Sequence, residues 1–224
     1  MHPASPIHSL ILALALTSGG AQYPASILDA GGKPLGTPNT ATALIQDDDF
    51  SASNITFENT FGKGSLALAI RVNGDRATFH TCRFLGWQDT VLLLRGRQYF
   101  EDCTITGAAD FIFGASAALF QRCQIHCVGS GYITAASTPA DHAFGFVFAS
   151  CTITAETGVT TYLGRPWRPY ASFAFLNTQM PEAIHAEGWQ NWNNPANEAA
   201  ARYAEWKSSA PAQRPMRACR GRSN

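Results

Sequence analysis

Two carboxylates stand out against an otherwise apolar, aromatic and Gly-rich background. Asp89 lies in Gly86-Trp87-Gln88-Asp89-Thr90, and Asp110 opens Asp110-Phe111-Ile112-Phe113-Gly114, 21 residues further on. A carboxylate pair can supply a nucleophile and an acid/base, two glycosidase acids, or half of a metal site. Each of these needs the two groups close in space. Carboxylates that close cannot both ionise cheaply, so one keeps its proton near neutral pH while the other keeps its charge. The plainer alternative is that both are corner residues of turns.

A repeat supplies the means of bringing them together. The pattern Phe-x-x-Cys/Thr-x-apolar recurs six times, as Phe57-Thr60, Phe79-Cys82-Phe84, Phe100-Cys103-Ile105, Phe120-Cys123-Ile125, Phe148-Cys151-Ile153 and Phe175-Thr178-Met180. The Phe positions are 22, 21, 20, 28 and 27 residues apart. Each copy alternates apolar residues over a short run bounded by Gly, Asn or Asp, which is the pattern of a strand. The connections are too short for helical crossovers, so the period reads as a β-solenoid.

In such a coil, equivalent residues of successive turns stack about 4.8 Å apart. Asp89 follows Cys82 by seven residues and Asp110 follows Cys103 by seven. They therefore take the same position on adjacent turns, with backbones roughly 5 Å apart. The same count puts Ser130 at that position on the next turn, which ends the acidic pair. Cys82, Cys103, Cys123 and Cys151 are expected to stack as free, buried thiols, because ladder side chains point the same way.

A chain of 224 residues is enough for one domain with a substantial core. Its formal net charge is zero, which gives no electrostatic case for nucleic acid or an anionic membrane. The first 28 residues carry no Asp, Glu, Lys or Arg. An apolar run from Ile7 to Leu16 and the small residues Ser18 to Ala21 make residues 1–21 resemble a secretory signal, too short to span a bilayer. A wrongly assigned start is the other reading. The solenoid is assigned to residues 22–207, and the Pro-, Ser- and Arg-rich residues 208–224 to a disordered tail. Asn194 and Pro195 open a short helix with Ala199, Tyr203 and Trp206 on one face and Glu198 paired with Arg202.

Other candidates for chemistry are poorer. The six histidines are scattered singly, with no zinc-hydrolase or serine-esterase motif around them. Asp47-Asp48-Asp49 reads as a solvated turn because it lacks the spaced ligands of a calcium loop. One distant stretch is different: Tyr162-Leu163-Gly164-Arg165-Pro166-Trp167-Arg168-Pro169-Tyr170. It could hold a guanidinium against a carboxylate while an indole faces a sugar, or it could be a packing loop.

Together these segments resemble the pectin methylesterases. Gly-Trp-Gln-Asp-Thr at 86–90, Gly-Arg-Gln-Tyr-Phe at 96–100, Asp-Phe-Ile-Phe-Gly at 110–114, Gly-Tyr-Ile-Thr-Ala at 131–135 and Leu-Gly-Arg-Pro-Trp at 163–167 occur in family order. The likeness runs from about Tyr23 to about Lys207. It implies an all-β fold, a right-handed single-stranded parallel β-helix, and hydrolysis of galacturonate methyl esters in pectin with release of methanol. Asp110 then corresponds to the nucleophile and Asp89 to the general acid/base. Gln88 matches an oxyanion-hole donor, and Arg165 the arginine that keeps the nucleophile ionised. Trp167 corresponds to a sugar platform, with Phe113 and Tyr170 in the same cleft. The resemblance implies methyl-esterified homogalacturonan as the partner. No cofactor or metal is expected, since a carboxylate pair plus oxyanion donors suffices. The signal-like N-terminus points to a secreted or periplasmic location, and a monomer is expected.

Three departures accompany the likeness. The family has a second glutamine in a Gln-Ala-Val-Ala-Leu-like strand, and here Leu66 stands in its place. Losing one oxyanion donor typically lowers the rate on the order of 10²–10³-fold. The family's opening coils are missing before Tyr23, which leaves an open strand edge. An Arg-rich tail replaces the usual finish. An inactive polysaccharide-binding β-helix, or a degenerate gene fragment, is therefore the alternative to an active esterase.

Overall fold

The computed structural model describes the strand Ile11–Leu14 and residues 29–209. Its strands wind into three faces, all paired in parallel. The first face stacks Ala43–Ile45, Ile70–Val72, Val91–Leu93 and the ends of the long strands Thr104–Gly114 and Gln124–Ala136, followed by Thr161–Pro166. The second stacks Ile11–Leu14, Thr56–Asn59, Arg83–Leu85, the starts of the same long strands, and Thr152–Ala155. The third runs from Ser51–Ser53 through Ala77–His80, Arg97–Glu101, Ala117–Gln121, Phe146–Ala149 and Ser172–Leu176 to Arg202–Trp206.

The Phe ladder forms the spine of the core. Phe79, Phe100, Phe120, Phe148 and Phe175 stack with ring centroids 4.8, 4.6, 4.6 and 4.5 Å apart. Between each Phe and Cys the chain turns through one residue with positive φ: Thr81, Asp102, Arg122, Ser150 and Asn177. That single left-handed residue carries the chain from the third face to the second, and it explains the fixed Phe-x-x-Cys spacing. The thiols of Cys103, Cys123 and Cys151 point at the carbonyls of Phe79, Phe100 and Phe120, one turn back, at 3.3–3.5 Å. Thr178 and Ser208 repeat this contact on Phe148 and Phe175. The position therefore selects a small side chain with a donor, whether thiol or hydroxyl. All five cysteines among the described residues are free and buried.

The structure corrects the reading of the repeat and the helix in four places. Phe57 stacks on Phe84 at 5.3 Å instead of joining the Phe79 ladder, where Ala52 takes the first position. A seventh turn follows the sixth, with Glu205 in the Phe place and Ser208 in the Cys place. The helix is only Ala196–Ala200, and Tyr203 and Trp206 lie on a strand beside Ser172–Leu176. Burying Tyr203 against Phe173 and Trp189 outweighs continuing a short, exposed helix. Glu198 accordingly accepts from Asn191, and Arg202 donates to the carbonyls of His142 and Tyr170 in place of the expected Glu198–Arg202 pair.

Ser130 is the fourth correction. The register shifts between Gly107 and Ala109 and again before Ile112, so Ala109 faces Tyr132 and Ser130 is not opposite Asp110. Of the signal-like stretch, Ile11–Leu14 forms a strand that covers the edge of Thr56–Asn59, and the remainder lies outside the described residues. The tail expectation likewise falls outside them from residue 210 on, while Ser209 bridges to Gln179. Asp48 and Asp49, expected in a solvated turn, form ion pairs with Arg76 at an exposed corner.

Candidate active site

Asp89 and Asp110 sit where the second face turns into the first, both with positive φ (63° and 50°). Left-handed backbone at two consecutive turns is a sparsely populated conformation, more accessible to Asp than to most residues. The Gln88–Ala109 bridge and the Val91–Ile112 pairing put the two aspartates in register on adjacent turns. Arg165 reaches back to them from Thr161–Pro166, two turns on. Its neighbour Gly164 is required by space: a Cβ there would lie 2.0 Å from the Thr134 hydroxyl, which donates to the Leu163 carbonyl.

The Arg165 guanidinium donates through Nε and Nη2 to the two oxygens of Asp110, at 2.9 and 2.6 Å. Both partners are largely screened from solvent, the Asp110 side chain to 10% exposure. Asp89 is buried too, yet no described residue donates a hydrogen bond to its carboxylate. Burial, then the neighbouring Asp110 charge, pushes its pKa up to about 8 against the opposing pull of Arg165. Burial raises Asp110 as well, but its two bonds to Arg165 oppose the rise. The proton of the pair therefore rests on Asp89 and the charge on Asp110.

These groups open onto a cleft of about 420 Å³, lined also by Leu66, Gln88, Leu92, Phe113, Trp167 and Trp192. The Phe113 and Trp167 rings are 5.9 Å apart and form an aromatic wall. Gln88 contributes the only side-chain amide among the lining residues, and that amide group makes no hydrogen bond to another described residue. A cleft of this size, mostly apolar with a few convergent polar groups, suits a small polar unit carrying an apolar substituent.

The Pectinesterase family model matches residues 26–220. The chain belongs to the pectinesterase family. It is 46% identical over 180 residues to pectinesterase 31 of Arabidopsis thaliana, covering 79% of this chain and 56% of that protein. It is 43% identical over 155 residues to probable pectinesterase A of Neosartorya fischeri, covering 67% and 48%. The chain thus spans about half the length of the curated relatives it matches. The solved pectin methylesterase of Aspergillus niger superposes with a TM-score of 0.73 at 36% identity, covering 78% of this chain and 59% of that one. The carrot enzyme superposes with a TM-score of 0.77 at 29% identity, covering 90% and 63%. The β-solenoid expected from the repeat, and the parallel β-helix implied by the resemblance, are the fold of these pectinesterases.

Six of the seven site residues named from sequence (Asp89, Asp110, Gln88, Arg165, Phe113 and Trp167) line one cleft. Tyr170 does not: the residue is 47% exposed and its carbonyl accepts from Arg202. Leu66 does line the cleft, on the turn before Gln88, where the Ala67 N–H donates to the Gln88 carbonyl at 3.2 Å. Trp192 is the residue the sequence reading missed. It enters from a loop far along the chain, with no repeat offset to betray it, although an indole in the Asn-rich run Gln190–Asn194 was the available signal.

The shift of Asp89 makes stability depend on pH. Its folded pKa, about 8, lies above the ordinary 3.8, so the folded chain holds this proton more tightly than the unfolded chain. That contribution is complete below pH 3.8 and is lost as the pH rises to about 8. Asp89→Asn is therefore expected to be more stable than the parent at pH 8.5, by on the order of a few kcal/mol, and close to it at pH 4. Urea unfolding at the two pH values measures this. An equal difference at both would show that Asp89 does not carry the shift.

Proposed function

We propose that the cleft hydrolyses galacturonate methyl esters in pectin and releases methanol. The observation that carries this reading is the bidentate Arg165–Asp110 pair beside a buried Asp89 whose carboxylate accepts no hydrogen bond from any described residue. A charged carboxylate next to a protonated one is the arrangement that double displacement at an ester requires.

An Asp110 oxygen attacks the ester carbonyl carbon, and the carbonyl electron pair moves onto its oxygen. The Gln88 amide N–H stabilises that oxyanion. As the intermediate collapses, the methoxide leaves with the proton of Asp89, which gives methanol and an acyl anhydride on Asp110. Asp89, now ionised, takes a proton from water as that water attacks the anhydride. The galacturonate unit leaves as the carboxylic acid, which gives its proton to solvent; Asp110 regains its charge, and Asp89 keeps the proton it took from water. Arg165 holds the negative charge on Asp110 at both ends of the cycle, and Trp167 and Phe113 give the sugar its platform.

A solved pectin methylesterase 30% identical to this chain, with a TM-score of 0.75, is described as a complex with a hexasaccharide. That supports pectin as the partner here, and a cell-wall polymer as substrate is consistent with action outside the cytoplasm. Asp89→Asn is expected to lower kcat/KM for methyl-esterified polygalacturonate by about 10²–10⁴-fold. In the parent, kcat/KM should fall as pH rises through about 8, where free Asp89 loses its proton. An Asp89→Asn variant with parental kcat/KM would remove Asp89 from the chemistry. A binding-only β-helix is the second reading, and the observation favouring it is Leu66 at the cleft wall.

A further inference from the structure

The Arg165 guanidinium is held between two aromatic rings. Its central carbon lies 3.8 Å from the Tyr132 ring centroid and 3.8 Å from that of Trp192. The two rings come from unrelated parts of the chain: Tyr132 from the long strand Gln124–Ala136, Trp192 from the loop before the helix. Neither ring is free to drift. Tyr132 stacks on Tyr162 at 5.3 Å, and Tyr162 stacks on His185 at 4.2 Å. The backbone N–H of Trp192 donates to the Gln190 side chain at 2.6 Å, and Gln190 donates in turn to Asn193 at 2.9 Å.

A guanidinium can present its fork to a carboxylate only in its own plane. Two rings on its faces leave that plane one orientation, and they satisfy the faces without competing for N–H donors. We propose that Tyr132 and Trp192 are positioning residues that clamp the Arg165 plane so that its Nε and Nη2 edge meets both oxygens of Asp110. Tyr132 does not line the cleft, so within the site it touches Arg165 alone, whereas Trp192 serves both the clamp and the cleft wall. The clamp deepens the esterase reading by naming what keeps the nucleophile charged, and its kinetic consequences rest on that reading. Its electrostatic consequence does not. Among the described residues the charged groups facing Asp110 are Asp89 and Arg165, and loosening Arg165 removes the one cation of these two.

The test is the carboxyl titration of Asp110, followed by carbon NMR in the whole chain and in Tyr132→Leu, Tyr132→Phe and Trp192→Leu. Tyr132→Leu should raise the Asp110 midpoint by about 0.5–1.5 pH units, and Tyr132→Phe, which keeps the ring, should restore it. With methyl-esterified polygalacturonate, Tyr132→Leu should lower kcat about tenfold with KM little changed. An unmoved Asp110 midpoint in Tyr132→Leu, or the same rise in Tyr132→Phe, overturns the clamp. If Tyr132→Leu fails to fold, Trp192→Leu gives the same reading from the other ring. Should the parent release no methanol, the esterase reading falls, while the titration still decides the clamp.

Discussion

Asp110→Asn is expected to lower methanol release from methyl-esterified polygalacturonate by at least about 10³-fold, with KM little changed. The substitution keeps the size of the side chain and leaves the cleft wall of Phe113, Trp167 and Leu92 intact. What it removes is the negative charge that Arg165 holds through two short bonds. An amide cannot attack an ester carbonyl at a useful rate, and protonation of the leaving methoxide by Asp89 has no step to assist. The variant also leaves the partly buried Arg165 facing a neutral partner, which lowers stability. Activity must therefore be compared well below the melting temperature of both proteins. A variant that retains parental kcat would show that the nucleophile is another group.

Leu66→Gln is expected to raise kcat on the order of 10²–10³-fold, the amount one oxyanion donor typically supplies. Leu66 lines the same cleft as Gln88, one turn away, and Gln88 brings the only side-chain amide among the lining residues. A second amide at Leu66 adds a donor on the side of the cleft that is now apolar. Leu66 is 39% exposed, so exchanging it removes little buried apolar surface and the fold should tolerate it. Leu66→Met serves as the control for side-chain length. A gain confined to the glutamine variant identifies the missing donor, and equal rates for parent, Met and Gln would show that Leu66 is no deficit.

The fold was legible because the repeat is written in side chains that must stack. Phe79, Phe100, Phe120 and Phe148 announce one ladder and Cys82, Cys103, Cys123 and Cys151 another. The seven-residue offset from Cys to Asp then places Asp89 against Asp110 by arithmetic alone. The ends of the ladders were less legible, for physical reasons. Ala52 and Glu205 occupy Phe positions on the outermost described strands of the third face, where one described neighbour stacks and the demand for an aromatic ring is weaker. Phe57 misled because a second aromatic stack, with Phe84, runs close to the first.

Counting failed at Ser130 because the strand from Gln124 carries extra residues between Cys127 and Tyr132, which shift the register. Short amphipathic segments are ambiguous between helix and strand, and Tyr203 was decided by the aromatic surface waiting for it at Phe173 and Trp189. Within the site, residues tied to the repeat could be placed by arithmetic. Arg165 came from a motif, and Trp192, which lies in a loop outside the repeat, could be placed only by tertiary structure. Tyr170 shows the converse: a motif neighbour of Trp167 that the turn directs away from the cleft.

The Asp89–Asp110 pair is expected to cleave an ester and leave the polymer chain whole. The most direct measurement follows methanol, acid and chain length together when the unaltered protein meets methyl-esterified polygalacturonate. The expected result is one methanol and one new carboxylate per ester cleaved, with no shortening of the polymer. Binding of the polymer without methanol release, or cleavage of its backbone, would contradict it.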